Sequence, residues 1–246
     1  MIEKITDFES LSGVSSPLLH LIFADGSFSH NDLDGAFLQK DEKDELQAIF
    51  SLKNTCVTLI LISDKEIEEL RNFFSFCGGV TEILSDKPLT QLCKIQKELY
   101  LFESCEMFEE ENKCFTINSK STVSEYQDIY NLVFEEGTNF GNWFPEFSKK
   151  INSFSSFATY LKVNKKVVSV SISPAVYKNN AVIAGVHTLE EHRNNGYARE
   201  CVKALLNQLK INNISKVYLW CEKVNVDFYN KLNFKNIGKI YLGECN

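Results

Sequence analysis

The chain has 246 residues, a formal net charge of −7 and 44% hydrophobic residues. That length suits one large domain or two small ones, and the apolar fraction supports a packed core rather than disorder. An acidic chain lacks the clustered Lys and Arg that phosphate backbones attract, which argues against nucleic acid as a partner and leaves a cationic small substrate open.

The longest apolar run, Val57-Thr58-Leu59-Ile60-Leu61-Ile62, is strand-sized, well short of the ~18 residues that span a bilayer, so no membrane segment is expected. Met1 to Asp7 carries no basic region followed by an apolar one, so it does not read as a signal peptide. The cysteines are scattered, at Cys56, Cys77, Cys93, Cys105, Cys114, Cys201, Cys221 and Cys245, without the C-x-x-C spacing of a zinc or redox site. They read as small hydrophobes in a cytoplasmic, reducing setting, with no metal implied.

In chain order, a helix is expected near Ser16–Ala24, then strands near Gly35–Lys40, Leu46–Leu52 and Cys56–Ile62. A helix follows over about Lys65–Cys77, capped by Ser63 or Asp64 and stopped by Gly78-Gly79, and then a strand near Val80–Leu84. The acidic stretch Glu106–Asn112 separates two strand-like segments and is the expected domain junction, giving domains 1–110 and 111–246. Beyond it come a strand at Lys113–Asn118 and helices around Val123–Glu136 and Phe144–Ile151. Strands follow at Ser156–Val163, Val167–Pro174 and Ala181–Leu189, the first two joined by a hairpin turn at Asn164-Lys165-Lys166. A helix over about Gly196–Ile211, a strand Lys216–Glu222, a short helix Asn225–Leu232 and a last strand pair near Asn236–Leu242 complete the chain.

Chemistry concentrates between Ala181 and Arg199. An apolar strand enters a short polar turn that contains one glycine and opens directly into a helix. Ala198, Val202, Leu205, Leu206 and Leu209 give that helix one apolar face at helical period. A helix N-terminus exposes unpaired N–H groups and partial positive charge, and a glycine there lets an anion approach the backbone. Arg193 adds a forked cation, and Asn194-Asn195 tolerates the backbone angles of a tight loop. The sum suits a pyrophosphate cradle; the plainer alternative is an ordinary strand–turn–helix joint.

Arg193-Asn194-Asn195-Gly196-Tyr197-Ala198 resembles the R/Q-x-x-G-x-G/A signature of the GNAT superfamily of acyl-CoA-dependent N-acetyltransferases. Downstream, Phe228-Tyr229-Asn230-Lys231-Leu232-Asn233-Phe234 resembles the family's Y-x-K-x-G-F end motif, and the order of elements from Lys113 onward also fits. The sequence departs from the family pattern at Glu190, where Pro is frequent, at Asn233, where the end motif has Gly, and at Glu222, where an Asn is frequent. The resemblance implies an α/β (α+β) fold with a mixed, mostly antiparallel sheet flanked by helices, beside a smaller N-terminal α/β domain.

It also implies acetyl-CoA as cosubstrate and an amine of a small molecule or peptide as acceptor. His187, Thr188 and Leu189 would face the thioester. Arg193, Asn194, Asn195, Gly196, Tyr197, Ala198 and Arg199 would hold the cofactor, with Asn225 as a further contact. Tyr229 matches the general acid. The base is open between His187, His192, Glu222 and a water chain. The aromatic-rich segment Phe134–Phe144, with two glycines, is expected to be a substrate-contacting loop. A non-catalytic acyl-CoA-binding protein and an aminoacyl transferase are the competing functions.

The element order between Gly35 and Leu84 repeats that of Ser156–Glu222, which suggests a degenerate, GNAT-like N-terminal half. Its strand-to-helix joint, Ser63-Asp64-Lys65-Glu66, has no glycine, and carboxylates would meet a pyrophosphate there.

Overall fold

Turn chemistry sets many of the boundaries in this computed structural model, which describes every residue except 8–10, 12, 15, 28–33, 94, 105–112, 135–138 and 246, and only the backbone of 24–27 and 95. The expected junction Glu106–Asn112 lies outside the described residues. The chain forms two compact units that are not contiguous in sequence: Met1–Leu101 with Trp220–Val226 and Ile237–Asn246, and Phe102–Leu219 with Asp227–Asn236.

The first unit starts with β1 (Ile2–Lys4), α1 (Leu18–Ser27) and the meander β2 (Gly35–Lys40), β3 (Leu46–Lys53) and β4 (Cys56–Leu61). It continues through α2 (Ile67–Phe76) to β5 (Glu82–Ser85) and β6 (Ile95–Ser104). β1 pairs antiparallel with β2, the meander is antiparallel throughout, and β5 lies parallel to β4 with Val57 opposite Ile83. α2 buries Ile67, Leu70 and Phe74, spaced three and four apart, on one face. Phe37, Phe50 and Phe74 pack in that core, with ring centroids 5.2 Å apart for Phe37–Phe50 and 5.4 Å for Phe50–Phe74.

The second unit starts with β7 (Phe115–Thr116), α3 (Val123–Val133) and α4 (Phe140–Asn152). Then come β8 (Phe157–Val163), β9 (Lys166–Ser173), β10 (Ala175–Tyr177), β11 (Asn180–Ile183) and β12 (Gly185–Thr188). α5 (Tyr197–Ile211), β13 (Lys216–Cys221) and α6 (Val226–Asn230) follow, and β14 (Lys235–Glu244) ends the chain. β14 pairs antiparallel with β5, Tyr241 opposite Ser85, and takes the place between β5 and β6 in the strand order of the first unit. The last C-terminal segment is therefore one strand inside the first unit's sheet, where a strand pair was expected.

The repetition expected from the element order is present in the pairing. β1–β2, β2–β3, β3–β4 and the parallel β4–β5 of the first unit correspond to β7–β8, β8–β9, β9–β12 and the parallel β11–β13 of the second. Asn164 and Lys165 have φ of 51° and 69°, the two left-handed residues that a two-residue hairpin turn needs to match strand twist. α3 starts with a capping box in which the Thr122 side chain accepts the Glu125 N–H and Glu125 accepts the Thr122 N–H. α5 buries Cys201, Val202, Leu205, Leu206 and Leu209 completely.

Three local expectations are corrected. Residues 139–144 are not a loop: Asn139 caps α4 by accepting the Gly141 N–H at 2.8 Å, so Gly141 and the following aromatics are helical, while 135–138 lie outside the described residues. The rings there pack on one another, Trp143 stacking on Phe147 at 4.4 Å, because four-residue spacing puts them on one helix face. Neither Ser63 nor Asp64 caps α2. Glu66 holds that position without a side-chain bond, and the Ile67 N–H donates to the Asp64 carbonyl at 3.3 Å. Third, the strand expected over Ala181–Leu189 breaks at Ala184, and that break shapes the candidate site.

Candidate active site

β11 runs parallel to β13 as far as the pair Ile183–Leu219, whereas β12 runs antiparallel to β9, with His187 opposite Val170. The strand changes partner at Ala184, whose N–H donates to the Ile172 carbonyl at 3.1 Å. Gly185 permits the close approach, since a Cβ there would lie 3.3 Å from Ile172 Cβ. From that point β12 is an edge strand of the sheet β12-β9-β8-β7.

Leu189 N–H donates to the Val168 carbonyl at 2.9 Å. Antiparallel pairing alternates, so the N–H groups of Leu189, His187 and Gly185 face β9, and those of Thr188 and Val186 face outward. Arg193 Nε donates to the outward Thr188 carbonyl at 3.3 Å, which agrees with that alternation. Ser169 Oγ lies 2.8 Å from Thr188 Oγ1 and donates to the His187 carbonyl at 3.2 Å. Ser169 and Val186 were not singled out from the sequence. The signal for Ser169 is the alternation Ser169-Val170-Ser171-Ile172-Ser173, in which buried serines share one face of β9.

A short 3₁₀ turn over Glu190–His192 leads from β12 into the loop. Asn194 is left-handed at φ 63° and Gly196 at φ 80°. Asn195 Nδ2 donates to the carbonyls of His192 and Arg193, both at 3.1 Å, which holds the loop closed on itself. Gly196 is the N-cap of α5 and offers no side chain to the helix; the first helical bond is Glu200 N–H to the Gly196 carbonyl at 3.1 Å. Among the described residues, the N–H groups of Tyr197, Ala198 and Arg199 therefore keep their capacity for an external acceptor. Nothing lies within 4 Å of a Cβ built on Gly196, so the mouth of the helix is open. Tyr197 and Ala198 are half-buried, and Arg193, Asn194, Asn195 and Arg199 are exposed.

His187 projects on the opposite face of β12 from Thr188 and reaches solvent. Desolvation by neighbouring groups, and then the Arg193 guanidinium, hold its pKa below the usual 6.5. His192 lies beside Tyr197, ring centroids 6.2 Å apart.

Tyr229 sits on α6 and is 8% exposed, with the rings of Phe228, Phe234 and Phe102 at centroid distances of 4.9, 5.8 and 6.2 Å. The helix ends where Asn233 adopts φ 60° and the Phe234 N–H donates to the Tyr229 carbonyl at 3.2 Å. Asn233 thus supplies the left-handed residue in the place of a glycine. His187, Thr188, Leu189, the Arg193–Arg199 turn and Tyr229 all belong to the second unit; Glu222 and Asn225 belong to the first. There the Asn225 N–H donates to the Glu222 carbonyl at 3.0 Å, and the Glu222 carboxylate pairs with Lys97 at 2.5 Å.

The corresponding joint of the first unit is closed. Asp86 Oδ1 accepts the Leu61 N–H at 3.1 Å, and Lys87 Nζ donates to the Ile62 carbonyl at 2.9 Å. Side chains after β5 thereby occupy backbone groups at the end of β4, at the place where the second unit's strand breaks away.

A strand that breaks away beside an open, glycine-mouthed helix N-terminus is a place suited to an anionic ligand. Residues 105–234 match the Acetyltransferase (GNAT) family, more than half of the chain, and the chain belongs to that family; it is an acyltransferase. No curated protein matches it. Among solved structures, it is similar to a GCN5-related N-acetyltransferase from Sphaerobacter thermophilus, with 8% identity, a TM-score of 0.62 and coverage of 99% of this chain and 95% of that one. A GCN5-related N-acetyltransferase-like protein from Streptococcus suis gives 13% identity, a TM-score of 0.62 and 92% coverage of each chain. One from Kribbella flavida gives 12% identity, a TM-score of 0.60 and coverage of 80% and 86%. At these identities the likeness is one of fold. Among the described residues, no helix is long and apolar enough to cross a membrane.

Proposed function

We propose that the chain is a cytoplasmic N-acetyltransferase that moves an acetyl group from acetyl-CoA to a primary amine of a small molecule or peptide by direct attack. The observation that carries this reading is the open N-terminus of α5 at left-handed Gly196, beside the outward N–H groups of β12. The residues suit the cosubstrate: unspent N–H groups at Tyr197, Ala198 and Arg199, with Arg193 alongside, match a pyrophosphate. The thioester supplies an activated acetyl group.

The chain's own residues do the rest. Thr188 N–H, facing outward, donates to the oxygen that gains charge as the amine attacks. Arg193 holds that strand edge through the Thr188 carbonyl. His187, kept neutral by its surroundings, takes the proton of the incoming amine, directly or through water. Tyr229, held among three rings, returns a proton to the departing sulfur.

The test is acetyl-CoA-dependent thiol release over a panel of polyamines, amino sugars, amino acids and peptides. Turnover with one amine class and no release without an acceptor is the expected result. Binding of acetyl-CoA without turnover across the panel would overturn the catalytic reading.

A further inference from the structure

In the first unit, Cys93 Sγ and Cys245 Sγ lie 2.7 Å apart, and both are free thiols. They come from segments distant in sequence. Cys93 closes a helical turn whose N–H donates to the Leu89 carbonyl at 2.8 Å, and Cys245 follows β14, held by its N–H to the Thr81 carbonyl at 2.8 Å. Both backbones are thus fixed independently of the sulfurs. The approach depends on a glycine: a Cβ at Gly243 would lie 2.6 Å from Cys93 Sγ and 2.9 Å from Cys93 Cβ. Any larger residue there would push Cys93 away from β14. The pair lines an open cleft of about 580 Å³, so a small reagent reaches it from solvent. Cys93 is buried and Cys245 half-buried, which makes Cys245 the sulfur met first.

We infer that Cys93 and Cys245 form a reversible thiol–disulfide site that a hydroperoxide oxidises and a dithiol reduces, clamping the end of β14 into the first unit. The Cys245 thiolate attacks one peroxide oxygen. The O–O bond breaks, the departing oxygen leaves with a proton as water (from hydrogen peroxide) or as the alcohol (from an organic hydroperoxide), and Cys245 becomes a sulfenic acid. The Cys93 sulfur then attacks the Cys245 sulfur; the S–S bond forms, the S–O bond breaks, and a water molecule carries off the Cys93 proton. Two thiols lose two electrons in all, and the peroxide gains them. Burial, then the hydrogen bond and charge of its partner, push the Cys93 thiol up to about 12, so Cys93 keeps its proton while Cys245 reacts with the peroxide. Among the described residues, Cys114 and Cys201 are a second thiol pair and a built-in control: their sulfurs stand 3.9 Å apart and Cys201 is fully buried.

The test uses the full chain, reduced and then exposed to hydrogen peroxide in modest excess. Peptide mapping should give a linked peptide containing Cys93 and Cys245, lighter by two hydrogens, with Cys114 and Cys201 still alkylatable. Dithiothreitol should restore both thiols, and the oxidised chain should melt higher than the reduced one. Cys245→Ser should lose the linked peptide and the melting shift while keeping its fold. Because mapping is done on the unsubstituted chain, the proposal stands or falls without any variant. Persistence of both thiols in folded protein while Cys56, an exposed thiol, is oxidised would overturn it, as would a bond joining Cys245 to any other cysteine.

Discussion

Arg193 Nε donates to the Thr188 carbonyl at 3.3 Å, tying the turn that opens α5 to the outer edge of β12. One side chain thereby couples the loop that opens α5 to the outer edge of β12, the two places that the proposed reaction would use for phosphate and acyl oxygen. With Nε spent on the strand, the terminal guanidinium nitrogens remain available for a phosphate.

The first prediction concerns Gly196, left-handed at φ 80°. A side chain there costs about 1–2 kcal/mol in backbone strain, although space is open around it. A carboxylate would also turn a favourable helix-end interaction of about 0.3–1 kcal/mol into repulsion. Gly196→Asp should weaken acetyl-CoA binding by at least about tenfold, which corresponds to 1.4 kcal/mol. Gly196→Ala should weaken it less, separating strain from charge. Calorimetry on both variants checks this; equal affinities for wild type and Gly196→Asp would remove the loop from the cofactor site.

For Tyr229, positioned proton transfer contributes roughly 10²–10⁴-fold. Tyr229→Phe keeps the ring among Phe102, Phe228 and Phe234 and removes only the hydroxyl. Turnover should fall by that range with acetyl-CoA affinity near wild type. If turnover stays within about threefold, the hydroxyl is structural and another group protonates the sulfur.

His187 makes a pH prediction. Its pKa is lowered in the folded chain, so it is neutral at pH 7 and gains its proton only as pH falls below its ordinary value of about 6.5. The acid limb of kcat/KM should therefore lie below pH 6.5, and His187→Gln should lower the plateau and abolish that limb. A limb unchanged in His187→Gln would assign it to another group.

Much of the site was legible because it is local. The joint Arg193–Arg199 lies in one stretch of chain, and the helical period after Ala198 marks where the helix begins. The hairpin at Asn164-Lys165 was legible for the same reason. What could not be read was non-local. Gly185 hints at a bulge or a close backbone approach, but nothing in Ala181–Leu189 says that the strand changes partner at Ala184. The insertion of β14 beside β5 joins residues such as Ser85 and Tyr241, more than 150 positions apart. Ser63 and Asp64 have the right side chains for a cap, but the Asp64 carbonyl takes the Ile67 N–H instead, a backbone competition that residue type does not reveal.

Glu125 yields a stability prediction. Its carboxylate accepts the Tyr160 hydroxyl at 2.6 Å and the Thr122 N–H at 2.9 Å, with Lys162 at 3.5 Å. The Tyr160 bond first, and then the cap, lower its pKa from 4.5 to about 2. A depressed folded pKa contributes stability that is present above about pH 4.5 and lost as pH falls towards 2. Glu125→Gln should cost about 1–2 kcal/mol at neutral pH, the scale of a lost helix cap. Its melting temperature should then fall less steeply than that of wild type between pH 4.5 and 2; parallel curves would show that the carboxylate contributes nothing there.

The last prediction is one acetyl-CoA per chain despite the repeated topology. The first unit has the parallel pair β4–β5 and a helix between them, the elements that in the second unit frame the broken strand. Its strand does not break. Asp86 takes the Leu61 N–H and Lys87 takes the Ile62 carbonyl, so the backbone groups that an acyl chain would need are already bonded. At the helix mouth the Ile67 N–H is spent on Asp64, and Glu68 and Glu69 place carboxylates in the first turn, where the partial positive charge would otherwise attract an anion. Glu69 is itself fixed by the Met1 amino group at 2.9 Å and by Gln39 at 2.8 Å. Removing one group would not open such a joint, so Asp86→Ala should leave the stoichiometry at one. Native mass spectrometry across a titration should show a single bound acetyl-CoA whose affinity Gly196→Asp lowers. A second bound molecule that survives in Gly196→Asp would show that the first unit keeps a working site of its own.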